Sequence, residues 1–382
     1  MVSPKARDLK PFIAMDVMER AHQMEGEGTD IVHLEVGEPD FKTPSCVVDA
    51  AIEALREGKT HYTDSLGLAE LREAVAADTR MRTGVDVDPG RVVITSGSSP
   101  ALLLLFASLI EPGNEVILPD PHYACYPNFI RFFDGVPVTV PVREEEGFQL
   151  DPGAVRARIT ARTRAILINS PANPTGAVLS ADRIQAIASL GLPIISDEIY
   201  HGLVYEGEAH SALAFSEDAY ILNGFSKLYA MTGWRLGYVI VPPSILRTVQ
   251  KLQQNFFISA NSFVQWGGVA ALQKAGADVA RMRETYARRR PVLVEGLRRL
   301  GLGIAVPPTG AFYVFANAQR FGADSYRLAF DLLDRARVGV TPGVDFGSGG
   351  EGFLRFSYAT SEERIREGLR RIARYLDTVD AS

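Results

Sequence analysis

From about residue 90 to residue 240, short apolar runs rich in β-branched residues alternate with stretches of helical periodicity, and nothing else in the chain limits its possible folds as much. Val92-Val93-Ile94-Thr95 precedes a helix predicted over 100–110, which Glu111-Pro112-Gly113 stops. Val116-Ile117-Leu118, a helical stretch after His122, and Val138-Thr139-Val140 come next. A helix near 151–159 leads to Ala165-Ile166-Leu167-Ile168, and one over 180–190 leads to Pro193-Ile194-Ile195. Tyr220-Ile221-Leu222 and Tyr238-Val239-Ile240-Val241 complete the series. Strands without polar alternation must be covered on both faces, and helices between them favour parallel pairing. The expectation is an α/β fold in three layers, a mostly parallel sheet between helices, with ligands at the strand ends.

After Pro242 the pattern is helical through Leu300. Strands predicted over 303–306, 311–316, 338–341 and 353–358, with helices near 325–335 and 362–376, then make a smaller α+β unit. The expected division is a large domain over 45–280 and a small domain from 1–44 and 281–382. The arginine-rich helix around 280–300 joins them, and its charges read as a solvated face.

Composition narrows the function classes. A chain of 382 residues, 46% apolar and 23% charged, has material for two domains and a large core. Its net charge of −6 leaves no basic field for nucleic acid or an anionic membrane. The longest apolar run, 101–110, is about half the length a bilayer span needs. Met1 to Pro11 lacks the apolar core of a signal peptide. Cys46 and Cys125 lie far apart in no metal-like spacing, which fits a reducing cytoplasm.

Five segments carry residue types that chemistry needs. In Asn223-Gly224-Phe225-Ser226-Lys227, a lysine stands just past an apolar run, and Arg235 follows between Trp234 and Leu236. A lysine held near a fixed cation can form an imine with a carbonyl, while the arginine anchors an anion. Either residue alone reads as an ordinary surface or packing residue. In Thr95-Ser96-Gly97-Ser98-Ser99-Pro100, Gly97 permits a tight turn and Pro100 suits the first helical position, so free N–H groups face a potential phosphate. Many capped helices look the same. Ser170-Pro171-Ala172-Asn173-Pro174-Thr175-Gly176 is a turn by composition, and Asn173 offers it an amide for a ligand oxygen. In Ser196-Asp197-Glu198-Ile199-Tyr200, Asp197 follows apolar residues and needs a cationic partner, either a pyridinium nitrogen or a salt bridge. Arg355, within Phe353-Leu354-Arg355-Phe356-Ser357-Tyr358, satisfies a structural carboxylate or clamps a substrate carboxylate.

The order of these segments resembles that of the class I/II aminotransferases, pyridoxal-phosphate-dependent transferases of fold type I. The resemblance runs from Val36-Gly37-Glu38-Pro39-Asp40-Phe41 to Arg355 and takes in His61-Tyr62, Gly67-Leu68-Ala69-Glu70-Leu71-Arg72 and Pro308-Thr309-Gly310-Ala311-Phe312-Tyr313. It implies pyridoxal 5'-phosphate held by Lys227 as a Schiff base, with Asp197 keeping the ring nitrogen protonated. Asn173 and Tyr200 would meet the ring hydroxyl oxygen, and Gly97, Ser98, Ser99, Ser226 and Arg235 the phosphate. Tyr123 would stack on the ring, and Tyr62 would reach the phosphate of a neighbouring subunit in a homodimer. Arg355 would grip the substrate α-carboxylate with help from Asn173 and Gly37.

The implied reaction moves an amino group from an L-amino acid to a 2-oxo acid in a ping-pong cycle, with Lys227 as base and then acid. A C–S β-lyase on the same scaffold is the alternative, disfavoured by Gly233-Trp234-Arg235-Leu236-Gly237. An aminotransferase-like transcription regulator would need an additional DNA-binding domain, for which this acidic chain has no room. An acidic donor side chain would need a second cation near the pocket. Ser99 and Pro100 offer none, and the expected gate Phe12-Ile13-Ala14-Met15 is apolar. Neutral or aromatic donors are therefore expected, with 2-oxoglutarate or pyruvate as acceptor.

Overall fold

The computed structural model of the chain describes residues 2–380. After the helix Ile13–Gly26 comes a short strand, β1 (Val32–His33). The alternating region then supplies β2 (Val92–Thr95), β3 (Glu115–Asp120), β4 (Val136–Pro141), β5 (Thr163–Asn169), β6 (Ile194–Asp197), β7 (Tyr220–Gly224) and β8 (Gly237–Ile240). These seven form one sheet in the order β2-β8-β7-β6-β5-β3-β4. All neighbours are parallel except β8, which runs antiparallel to both β2 and β7. The exception has a local cause. No crossover helix lies between β7 and β8, so the chain turns back on itself through the loop that carries Lys227 and Arg235.

Both faces of the sheet are buried, as apolar runs without alternation require. Ile94, Ile117, Ile166, Ile194 and Ile221 enter one core with Leu71, Val75, Ile184, Ile187 and Val264 from three helices. Their neighbours Val93, Val116, Leu167, Ile195 and Leu222 enter a second core with Leu105 and Phe106 of the helix Ser98–Leu109 and Ile130 of Tyr126–Phe132. Each such side chain contributes about 1.5–3 kcal/mol relative to exposure. The three-layer α/β expectation holds.

The remaining strands are β9 (Tyr313–Asn317), β10 (Val338–Gly339), β11 (Thr341–Pro342) and β12 (Phe353–Ser357). β11, β12 and β9 make an antiparallel sheet in which Arg355 pairs with Thr341 on one side and Phe315 on the other. β10 pairs in parallel with β1, so the N-terminal segment and the C-terminal unit share a small sheet. Three expectations change in detail. The strand expected over 303–306 is reduced to a single bridge between Gly303 and Asn317. The run 338–341 divides between two sheets, because its halves pair with different partners. The helix near 325–335 is Ser325–Asp331 followed by a π turn, Leu332–Ala336. The joining helix, Gly276–Arg299, packs so tightly on the helix Glu362–Asp380 that a Cβ at Gly296 would lie 2.2 Å from Leu369.

Candidate active site

Strand ends, as expected, converge on one cavity of about 490 Å³. It is lined by Ser98, Ser99, Tyr123, Asn173, Asp197, Tyr200, Ser226, Lys227, Arg235, Arg355 and Gly37, all anticipated from the sequence. Gly97 shapes its edge. With φ of 104° it adopts a conformation that side chains rarely take, and a Cβ there would sit 2.7 Å from Arg235 Nη2. The absent side chain lets the guanidinium lie against the first turn of the helix Ser98–Leu109, which has no side-chain cap. A helix N-terminus plus a fixed cation is a site for a phosphate-like anion.

Asp197 ends β6 and is buried. Tyr126 Oη donates to its Oδ2 at 2.6 Å, and the Ile199 N–H donates to Oδ1 at 3.1 Å. Burial raises its pKa to about 6, against the lowering effect of these two hydrogen bonds. Among the described residues it has no salt-bridge partner, so a structural ion pair does not explain it. Asn169, opposite Asp197 in the β5–β6 register, donates from Nδ2 to the Asp197 carbonyl and accepts from the Asn173 N–H.

Lys227 Nζ donates to the Gly37 carbonyl at 2.5 Å. Enclosure lowers its pKa to about 8; Arg355 and Arg235 add to the lowering, while Glu38 and Asp197 oppose it. Tyr200 and Tyr313 share a hydrogen bond of 2.8 Å between their hydroxyls. Tyr313 in turn stands where a Cβ on Gly37 would be, 2.6 Å from its hydroxyl.

Arg355 is only 2% exposed. Its Nη1 donates to Asn173 Oδ1 at 2.9 Å, and its Nη2 donates to the Glu35 carbonyl at 2.6 Å and to Thr341 Oγ1 at 3.0 Å. The guanidinium also lies over the Tyr313 ring, 4.4 Å from its centroid. Nε has no partner. Among the described residues no carboxylate pairs with it, so of the two possibilities left open by the sequence, a structural ion pair is not the one found.

Of the expected gate Phe12-Ile13-Ala14-Met15, Phe12, Ala14 and Met15 line the cavity, joined by Met18, and Ile13 does not. Ile13 and Ala14 instead donate their N–H groups to the two carboxylate oxygens of Asp345, each at 3.0 Å. Of the expected site residues, Gly97 borders the cavity without lining it, and Tyr62 lies outside it, 81% exposed on the segment before the helix Ala69–Thr83. Sequence reasoning missed Tyr126, Asn169, Tyr313 and Asp345. The second tyrosine of Pro121-His122-Tyr123-Ala124-Cys125-Tyr126 was the one available signal for the first of these.

Residues 29–372 match the family model for aminotransferase class I and II. A (5-formylfuran-3-yl)methyl phosphate transaminase of Methanocaldococcus jannaschii is 42% identical over 99% of this chain and 100% of its own. The aspartate/prephenate aminotransferase of Thermus thermophilus is also 42% identical, over 98% of both chains. The solved structure of the Thermus thermophilus aspartate aminotransferase with maleate superposes with a TM-score of 0.94 at 41% identity, covering 98% of this chain and 99% of that one. These relatives transfer amino groups, which decides against the lyase alternative. With the family model spanning both units of the fold and the likeness extending over nearly the whole chain, this protein belongs to the class I and II aminotransferases, transaminases that depend on pyridoxal 5'-phosphate.

Proposed function

We propose that the cavity carries out transamination between a neutral or aromatic L-amino acid and a 2-oxo acid, with Lys227 as the proton-transferring base and Arg355 as the carboxylate receptor. The carrying observation is Arg355: a buried guanidinium held only by neutral acceptors, in the same cavity as an enclosed lysine and a buried aspartate. Such a cation suits a bidentate carboxylate.

The residues fit pyridoxal phosphate. The uncapped helix end at Ser98, the gap at Gly97 and the Arg235 cation suit a phosphate, with Ser99 and Ser226 as further donors. Asp197, a buried carboxylate with two hydrogen bonds and no ion pair, suits a ring nitrogen that carries a proton. Asn173 and Tyr200 would face the ring hydroxyl oxygen, and Tyr123 would cover the ring. When bound, the cofactor supplies an aldehyde for the amine and an electron-withdrawing ring that weakens the substrate Cα–H bond.

Lys227 then does the proton work. With its pKa lowered to about 8, Nζ is a competent base near neutral pH once it is released, and it can take the Cα proton and later return it. Arg355, steadied by Asn173 and Thr341, fixes the α-carboxylate and so aims Cα at Nζ. The cavity's lysine and two arginines thus all have assigned tasks, and the gate of Phe12, Ala14, Met15 and Met18 is apolar. That composition supports neutral or aromatic donors, with 2-oxoglutarate or pyruvate as acceptor. It differs from the acidic substrate in the Thermus relative's name.

Three further assignments complete the reading. The cofactor-binding domain is 45–280 and the small domain is 1–44 with 281–382, a division supported by the pairing of β1 with β10. The enzyme works as a homodimer in which exposed Tyr62 completes the partner's phosphate site. It is cytoplasmic, in keeping with two free cysteines.

The test is Arg355→Lys, which keeps the charge but loses the fork. Its KM for amino donor and oxo acceptor should rise by about 10²-fold with kcat less affected. An unchanged KM for both would remove Arg355 from the carboxylate site.

A further inference from the structure

A cluster of two histidines and two glutamates stands at the junction of the N-terminal helix and β1, outside the cavity. His22 and Glu25 are three residues apart on the helix Ile13–Gly26 and therefore neighbours on its surface. His33, on β1, faces them. One ligand atom from each of His22, Glu25 and His33 lies within 4.8 Å of the other two, and the His22 and His33 rings are 5.7 Å apart.

What separates this from a chance grouping is the orientation of His33. Its Nδ1 lies 2.6 Å from Glu35 Oε1, and its Nε2 lies 3.1 Å from Glu25 Oε1. Glu35 is buried and cannot move away. It packs against Gly339, where a Cβ would lie 2.2 Å from its Oε2, and His33 pairs with that same glycine across β1 and β10. Both ring nitrogens of His33 therefore face carboxylate oxygens, and a metal ion would displace the Nε2 proton and take its place between His33, Glu25 and His22, with Glu35 still accepting from Nδ1–H. A carboxylate–histidine pair presenting its outer nitrogen is the usual support of a metal-bound imidazole.

We propose that His22, Glu25 and His33 form a transition-metal site, with Glu35 as the buried support of His33. Two imidazoles and one carboxylate suit Zn²⁺, or a metal of similar preference, rather than Mg²⁺ or Ca²⁺. The cluster is open to solvent on the His22 side, so water can take the fourth position. A dication there would be balanced by Glu25 and Glu35. It would also tie the helix that carries Ala14, Met15 and Met18 to the strand that leads into Glu35 and Gly37 at the substrate end of the cavity. The site does not depend on the transaminase assignments.

The experiment is calorimetric titration of zinc chloride into the cofactor-loaded enzyme, with thermal melts in parallel. One Zn²⁺ per chain is expected, together with a higher Tm on binding. Affinity should fall at least about tenfold in His22→Ala and in Glu25→Gln, consistent with the loss of one ligand. Both positions are exposed and outside the cavity, so transamination without added metal should be unchanged. His33→Gln is the riskier variant, since it strands the buried Glu35; the two surface variants keep the test decisive if it misfolds. No saturable binding, or binding that neither surface variant weakens, would overturn the site. The cluster would then be a charged histidine between two carboxylates, or the metal would sit elsewhere.

Discussion

At the scale of single residues, the site divides into groups that announced themselves and groups that did not. Lys227, Arg235, Asp197 and Arg355 stood out because each is a charged residue set among apolar or small neighbours, which has few harmless explanations. Asp197 gives the sharpest residue-level prediction. In Asp197→Ala the rate should fall at least about a hundredfold if, as proposed, this buried carboxylate faces the ring nitrogen. The fold should persist, and wild-type kcat/KM in a folded variant would contradict the assignment. Tyr126, Asn169 and Tyr313 were not legible. A tyrosine or asparagine in an apolar stretch resembles ordinary core, and their roles depend on which strands lie side by side. Asn169 meets Asp197 only through the register of β5 and β6, which no local pattern encodes.

At the scale of elements, most strands and helices of the large unit were readable from periodicity, with ends displaced by a few residues. The antiparallel β8 was not expected explicitly, although the lack of a helix between β7 and β8 implies it. The short pieces 303–306 and 338–341 were misjudged because pairing partners, not local propensity, decide such strands. Asp345 is an element-level device that the sequence hides, since its two contacts lie more than three hundred residues away. It holds the first N–H groups of the gate helix, much as a capping residue does. Asp345→Ala should cost that helix end about 1–2 kcal/mol and loosen the gate. The expected result is a KM for the amino donor raised about five- to tenfold, with kcat nearly unchanged. Steady-state kinetics with equal KM values in both proteins would show that the contact does not govern access.

At the scale of the whole molecule, pH acts through a buried layer behind the site. His201 is buried, with Nδ1 3.3 Å from Glu198 Oε2, and burial lowers its pKa to about 3. The folded protein therefore keeps His201 neutral while the unfolded chain protonates it below about 6.5. Stability from this group is full above that pH and is lost as pH falls toward 3, by on the order of 5 kcal/mol. Glu198 opposes it. Burial raises its pKa to about 7, so its neutral form favours the fold below about 4.5, an advantage lost as pH rises through 7. Between about pH 4.5 and 6.5 the two largely offset, and below that His201 dominates. Urea midpoints of wild type and Glu198→Gln should therefore diverge in the variant's favour as pH rises from 4.5 to 7. Parallel curves would mean that Glu198 is not protonated in the folded state.

The most direct single measurement is the visible spectrum of the cofactor-loaded enzyme as one amino acid at a time is added without any oxo acid. Neutral or aromatic amino acids should convert the absorption band of the bound cofactor to that of pyridoxamine phosphate, and a 2-oxo acid should restore it. Lys227→Ala should bind the same amino acids without conversion. A response to aspartate and glutamate alone would contradict the proposed donor class. Conversion by Lys227→Ala at the wild-type rate would contradict the proposal that Lys227 moves the proton.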